Sequence, residues 1–109
     1  MSAVLVYVTA SNAKEADGIA RQVVTERLAA CANILGAIRS LYWWQGKIQE
    51  EDEVSFILKT ERALVERLTK RIKELHTYTV PCVVALAIDG GNSEFLRWIA
   101  EETEKASGR

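Results

Sequence analysis

Proline and histidine each occur once in this 109-residue sequence and cysteine twice, and each scarcity removes a class of protein. A lone histidine, His76, rules out a multi-histidine zinc centre built within one chain. Two cysteines, Cys31 and Cys82, are too few for a disulfide scaffold and are expected to be free thiols in a reducing compartment. No apolar run approaches the ~18–20 residues that a membrane-crossing helix needs. The first residues show neither a basic segment nor a small-residue cleavage site, so the expected location is the cytoplasm. With 14 basic and 15 acidic side chains, a net charge of −1 and no Lys/Arg run, there is no electrostatic footprint for nucleic acid or for a membrane surface. None of the glycine-rich phosphate loops, nucleophile elbows, HExxH helices or CxxC pairs is present, which points away from an enzyme.

What remains is a composition that is 49% hydrophobic and 27% charged, ordinary for a globular chain and of a length for one domain over residues 1–109. Residues 3–9 are apolar at both alternating sets, Val4, Val6 and Val8 against Leu5 and Tyr7, as in a strand buried on both faces. Asn12 with Glu15 three residues later has the form of a capping box. Ala16, Ile19, Ala20, Val23 and Leu28 then follow helical spacing, predicting a helix that ends near Ala30. A long strand is expected over 33–44, with Ile34, Ile38, Tyr42 and Trp44 on one face and a bulge at Gly36. Gln45-Gly46 turns the chain into a return strand over 47–59, where Val54, Phe56 and Leu58 alternate against Glu53, Ser55, Ile57 and Lys59.

Thr60 is the expected N-cap of a second helix carrying Leu64, Leu68, Ile72 and Leu75 on one side. After Pro81 comes an apolar fourth strand over 83–88, then a turn and a last helix that Ser93 would cap. The order β-α-β-β-α-β with a C-terminal helix predicts an α+β, ferredoxin-like sandwich whose antiparallel sheet runs 4-1-3-2. Both main helices would cover one sheet face. The second face is apolar too, so a homo-oligomer is expected to cover it.

The chemistry-bearing residues are isolated ones. His76 reads either as a helix-end residue favoured by the helix dipole or as a metal ligand, and Cys82, six residues on, as a small buried hydrophobe or a thiolate partner for copper. The topology puts Cys31 and Cys82 at opposite ends of opposite edge strands, against an internal disulfide; any site joining Cys31 to His76 would lie between protomers. Glu53 and Lys59 share a sheet face, and a covered lysine there would need a partner or an anionic ligand. Tyr42 and Trp44 share one face and could wall a pocket near His76, or serve as interface packing.

Five blocks carry a resemblance: ERLAACANI (Glu26–Ile34), SLYWWQGKI (Ser40–Ile48), E-V-x-F-I-L-K-T (Glu53–Thr60), H-x-Y-x-V-P (His76–Pro81) and G-N-x-x-F-L-x-W-I (Gly91–Ile99). In order and spacing the chain resembles the CutA family of divalent-cation tolerance proteins. The resemblance implies a tight homotrimer, similar in architecture to the PII signalling proteins. It further implies tolerance to copper and other divalent cations, with a metal ion as the only cofactor. Its inter-subunit cleft residues fall on Tyr42, Trp44, Glu53, Lys59, His76 and Tyr78, and its cysteine on Cys31. The family's proline and glutamate are replaced here by Thr77 and Cys82, and the thiol tilts the expected metal set of Cys31, His76 and Cys82 toward copper. The resemblance also admits a PII-like module whose clefts take a small anionic ligand or a partner protein.

Overall fold

A computed structural model describes residues 2–107. Strand β1 (Ala3–Ala10) leads to helix α1 (Ala13–Thr25), then to strands β2 (Cys31–Trp44) and β3 (Lys47–Glu61). A 3₁₀ turn over Arg62–Leu64 opens α2 (Val65–Leu75); β4 (Val83–Ala87), α3 (Ser93–Glu102) and the short α4 (Glu104–Ser107) follow. The sheet order is β2-β3-β1-β4, all neighbours antiparallel, which is the expected order read from its other edge.

The covered face of the sheet is set by register. Val4, Val6 and Val8 stand opposite Thr60, Leu58 and Phe56, and all six are fully buried. Ala16, Ile19, Ala20 and Val23 of α1, with Leu68 and Ile72 of α2, close over them in one core. Burying side chains such as Phe56, Leu58 and Ile72 contributes about 1.5–3 kcal/mol each. The other face, carrying Leu5, Tyr7, Ile57, Val84 and Leu86, stays half-buried or exposed in the single chain.

Several local expectations are corrected. Helix α1 ends at Thr25, five residues before Ala30, because Arg27 takes a left-handed φ of 65°. The amides of Leu28 and Arg27 then bond back to the Val23 and Val24 carbonyls, the paired bonds of a Schellman cap. Leu28 reaches the core from beyond the helix, which is why its spacing looked helical. Thr60 caps nothing: it is still in β3, and its buried hydroxyl donates to the Leu28 carbonyl at 2.8 Å. Asn92, not Ser93, caps α3, accepting from the Glu94 amide at 3.0 Å.

The fourth correction matters most. Gly36 does form a bulge, at φ 117°, and the pairing slips there: Ile34 faces Phe56, whereas Gly36 faces Ser55 and Ile38 faces Glu53. One extra residue reverses which side chains point up. Ile34 therefore lies on the helix side, while Ile38, Tyr42 and Trp44 lie on the open face with Glu53 and Gln49. Beyond β1, which pairs only with Val54–Glu61, the hairpin continues as a two-stranded arm. Gln45 (φ 52°) and Gly46 (φ 78°) make its tip, both left-handed as a two-residue hairpin turn of the mirror-image type requires.

Candidate functional site

The open face carries a cleft of about 860 Å³ where the arm leaves the sheet. The Gly36 bulge supplies one wall, since without the parity change Tyr42 and Trp44 would point to the helix side. Glu51 and Glu53 of β3 form its floor, Tyr7 and Thr9 of β1 its inner edge, and residues 77–80 with Cys82 its far wall. Of the eight residues expected from the sequence, the structure brings together Tyr42, Trp44, Glu53, Tyr78 and Cys82.

Glu53 is the anchor. Its side chain sits within a residue only 7% exposed, and its Oε2 accepts the Tyr78 hydroxyl at 2.8 Å. Burial first, then the Glu53 hydrogen bond and charge, pushes the Tyr78 phenol well above its ordinary value, so it stays a donor. The Tyr42 phenol is raised too, by desolvation and by a hydrogen bond to Glu51. Burial and the nearby Glu53 charge push the Cys82 thiol up, outweighing a bond with Thr9 that lowers it. Cys82 is therefore protonated at neutral pH, and a metal would have to displace that proton.

His76 is not in the cleft but behind it. Its Nδ1 accepts the Tyr78 amide at 3.0 Å, which fixes the proton on Nε2, and Nε2 donates to the Thr9 carbonyl at 2.8 Å. The ring's side chain is fully buried and its centroid lies 4.5 Å from that of Tyr78. As bonded, neither nitrogen has a lone pair free for a metal, and the helix-end reading holds only for its position as the C-cap of α2. The ring works as a strut that orients Tyr78.

Lys59 and Cys31 stand at the far end of the sheet, opposite each other in the β2–β3 register. Six strand residues separate Lys59 from Glu53, about 20 Å. The Lys59 ammonium donates to Asn33 Oδ1 at 2.6 Å and lies 5.8 Å from the Phe95 ring. Both cysteines are free, as their placement on opposite edges requires. Among the described residues no three His, Cys, Asp or Glu side chains gather as a metal centre, so Cys31, His76 and Cys82 are not assembled by one chain.

Glu15 is the residue the sequence reading undervalued. As expected, it belongs to the α1 cap: Asn12 Oδ1 accepts the Glu15 amide at 2.8 Å. Its carboxylate also accepts the Ser11 amide and hydroxyl at 2.9 and 2.8 Å, and the Thr77 amide at 2.9 Å. Burial alone would raise this carboxyl, but the hydrogen bonds from Ser11 and Thr77 overcome it and hold the group at about 2. One carboxylate thus ties the start of α1 to the wall that carries Tyr78. The only sequence signal was the capping box, which gives no sign of a partner sixty residues away.

A ferredoxin-like sandwich with an overlong β2–β3 arm and an acidic, aromatic cleft at its root defines the class. The family model of the CutA1 divalent ion tolerance protein matches residues 4–102. The divalent-cation tolerance protein CutA of Pyrococcus horikoshii is 45% identical over 102 residues, covering 94% of this chain and 99% of that protein. Protein CutA of Homo sapiens is 45% identical over 101 residues, 93% of this chain. The chain spans only 56% of the human relative's length and 58% of the chloroplastic CutA 1 of Oryza sativa. The crystal structure of CutA1 from Oryza sativa superposes with a TM-score of 0.91 at 42% identity, covering 94% of each chain. This chain belongs to the CutA1 divalent ion tolerance family.

Proposed function

We propose that this chain serves divalent-cation tolerance as a cytoplasmic, homotrimeric binding protein rather than an enzyme, taking copper or another divalent cation weakly at clefts completed by a neighbouring subunit. One observation carries the reading: two carboxylates, Glu51 and Glu53, and the Cys82 thiol line one cleft, though not close enough to form a ligand set by themselves, and its single basic residue, Arg39, is paired with Glu50. That field favours a cation. A metal needs several converging donors, and a second protomer is the simplest source of those that one chain does not gather. The printed names of the relatives, divalent-cation tolerance proteins, support the same class of ligand.

Assembly has its own support. Leu41, Trp43 and Ile48 on one face of the arm are 67%, 71% and 61% exposed, and Val84 and Leu86 on the open face of the sheet are half-exposed, two apolar patches that neighbouring subunits would cover. Three is the number of subunits that the family resemblance implies. Two free thiols fit a reducing compartment. The alternative, a PII-like module taking a small anion, leans on Lys59, which is committed to Asn33 and stands at the other end of the sheet. Copper titration of the wild type against Glu53→Gln separates the readings. Affinity lost in the variant supports the cation site; no copper binding in either, with a thermal shift on an anionic metabolite, supports the alternative.

A further inference from the structure

The dipeptide Asp-Gly occurs twice in the chain, at Asp17-Gly18 and at Asp89-Gly90. Such a pair is open to attack of the glycine nitrogen on the preceding side-chain carboxyl, because glycine has no Cβ to shield its amide and adapts its backbone freely. Both pairs are exposed, so access to solvent does not separate them. Conformation does. Asp17 and Gly18 lie inside α1, where the Gly18 amide belongs to the helical ladder and the Asp17 carboxylate is paired with Arg21 at 3.4 Å. A nitrogen whose hydrogen is held by a carbonyl, in a backbone fixed at helical dihedrals, cannot turn toward the side-chain carbon. Asp89 and Gly90 lie between β4 and α3, in neither helix nor strand. Among the described residues nothing accepts from the Gly90 amide and nothing donates to the Asp89 carboxylate. The space around them is open as well, since a Cβ on Gly90 would meet nothing within 4 Å.

From this contrast we infer that Asp89 is a modification site, at which the chain converts aspartate to isoaspartate through a succinimide, while Asp17 stays intact. The Gly90 nitrogen bonds to the carbon of the protonated Asp89 carboxyl, and the carboxyl hydroxyl leaves with the amide hydrogen as water. Water then opens the cyclic imide at either carbonyl. One opening restores aspartate; the other leaves isoaspartate, with the main chain routed through the side-chain methylene and a carboxylate on the α-carbon. One water is lost and one regained, so no oxidant, metal or enzyme is needed. The position gives the added methylene a consequence. Just before it, the Ile88 amide donates to the Ala3 carbonyl at 3.1 Å, and just after it Asn92 caps α3. A main chain lengthened between these two anchors strains one or the other. Ala87 at the end of β4 faces Val4, which faces Thr60, so the loop sits at the end of the sheet away from the arm and its cleft. Neither a bound cation nor a neighbouring subunit enters this chemistry.

Ageing the intact protein in heavy-oxygen water at neutral pH, then digesting it in ordinary water and mapping the peptides by mass, tests the assignment. Each passage through the imide leaves one heavy oxygen in the peptide concerned. An isoaspartate methyltransferase applied to the separated peptides shows which of them carry the rearranged residue. In the folded protein the Asp89 peptide should gain both heavy oxygen and methyl acceptance, while the Asp17 peptide stays at background. In the urea-unfolded chain both peptides should gain them, since the protection of Asp17 comes from α1. Gly90→Ala has room for its methyl group and a φ outside the left-handed range, so it should keep the fold and slow labelling at Asp89 several-fold. Asp17 labelled as fast as Asp89 in the folded protein overturns the inference. So does an Asp89 peptide that stays unlabelled while the unfolded chain labels, one that takes heavy oxygen but accepts no methyl group, or a rate that Gly90→Ala leaves unchanged.

Discussion

Replacing Glu15 by glutamine isolates the clamp between α1 and the cleft wall. The carboxylate is held at about 2 in the folded chain against 4.5 when free. Its side chain is only 10% exposed, so solvent screens little of this difference. That depression corresponds to about 3 kcal/mol of stability at neutral pH. Because the folded value is the lower one, the contribution is complete above about pH 4.5 and disappears as pH falls toward 2. Glutamine keeps the shape and one acceptor oxygen, but its amide nitrogen must face either the Ser11 or the Thr77 donors. A loss of about 2–3 kcal/mol at pH 7 is expected, shrinking below about 1 kcal/mol at pH 2.5.

Urea unfolding of both proteins at pH 7, 5, 3.5 and 2.5, at one protomer concentration, measures this difference directly. A gap that stays constant over that range would mean that packing, not charge, carries the effect, and the electrostatic reasoning would fall. Absence of any gap at pH 7 would mean that the clamp is idle. Thr77→Pro supplies a control that deletes the Thr77 donors, amide and hydroxyl, and leaves those of Ser11. His76 already has the extended backbone (φ −85°, ψ 146°) that a residue before proline needs. Its cost should be about 1–2 kcal/mol, with a smaller acid limb that the Ser11 bonds preserve.

Three further outcomes follow from the same geometry. Gly36→Ala should cost about 1–2 kcal/mol by urea midpoint, from the φ of 117° alone, since a Cβ there meets nothing within 4 Å. If Cys82 ligates copper, affinity should rise with pH by up to about ten-fold per unit near neutrality, because the raised thiol must lose a proton; Cys82→Ser should flatten that slope, as a competition titration would show. Light scattering should find a mass of several chains, and the thermal midpoint should climb with protomer concentration; a monomer whose stability ignores concentration would remove the assembly from the proposal.

The parts of this fold that rest on periodicity were legible in the sequence. Val4, Val6 and Val8 alternate with Leu5 and Tyr7 because a central strand pairs on both sides, and Leu68 and Ile72 recur at four because a helix face meets that strand. Positions where a single residue changes the rule were harder. Arg27 ends α1 in a conformation usually left to glycine, so no breaker announced the stop. Thr60 has the chemistry of a cap but spends it on a carbonyl across the core. Of the site, the aromatic and acidic members were visible as types, whereas the roles of His76 and Glu15 depend on partners, Thr9 and Thr77, that only the folded chain brings near.

Gly36 shows how little sequence is needed to make the cleft and how easily its effect is misread. Its presence suggested a bulge, but the consequence lies in parity rather than in the glycine. With a regular register, Ile34, Ile38, Tyr42 and Trp44 would all lie on one face, and so would their strand partners. The slip at Gly36 leaves Ile34 against Phe56 on the helix side and sends Ile38, Tyr42 and Trp44 to the other. There they meet Glu53, whose alternation along β3 is unbroken, and Tyr78, which the His76 ring and Glu15 hold in place from behind. The aromatic wall and the acidic floor therefore come from opposite strands of one hairpin, aligned by one added residue. A substitution that restored the regular register would cost little in core burial, because residues 38–44 lie outside the main core, yet it would dismantle the site.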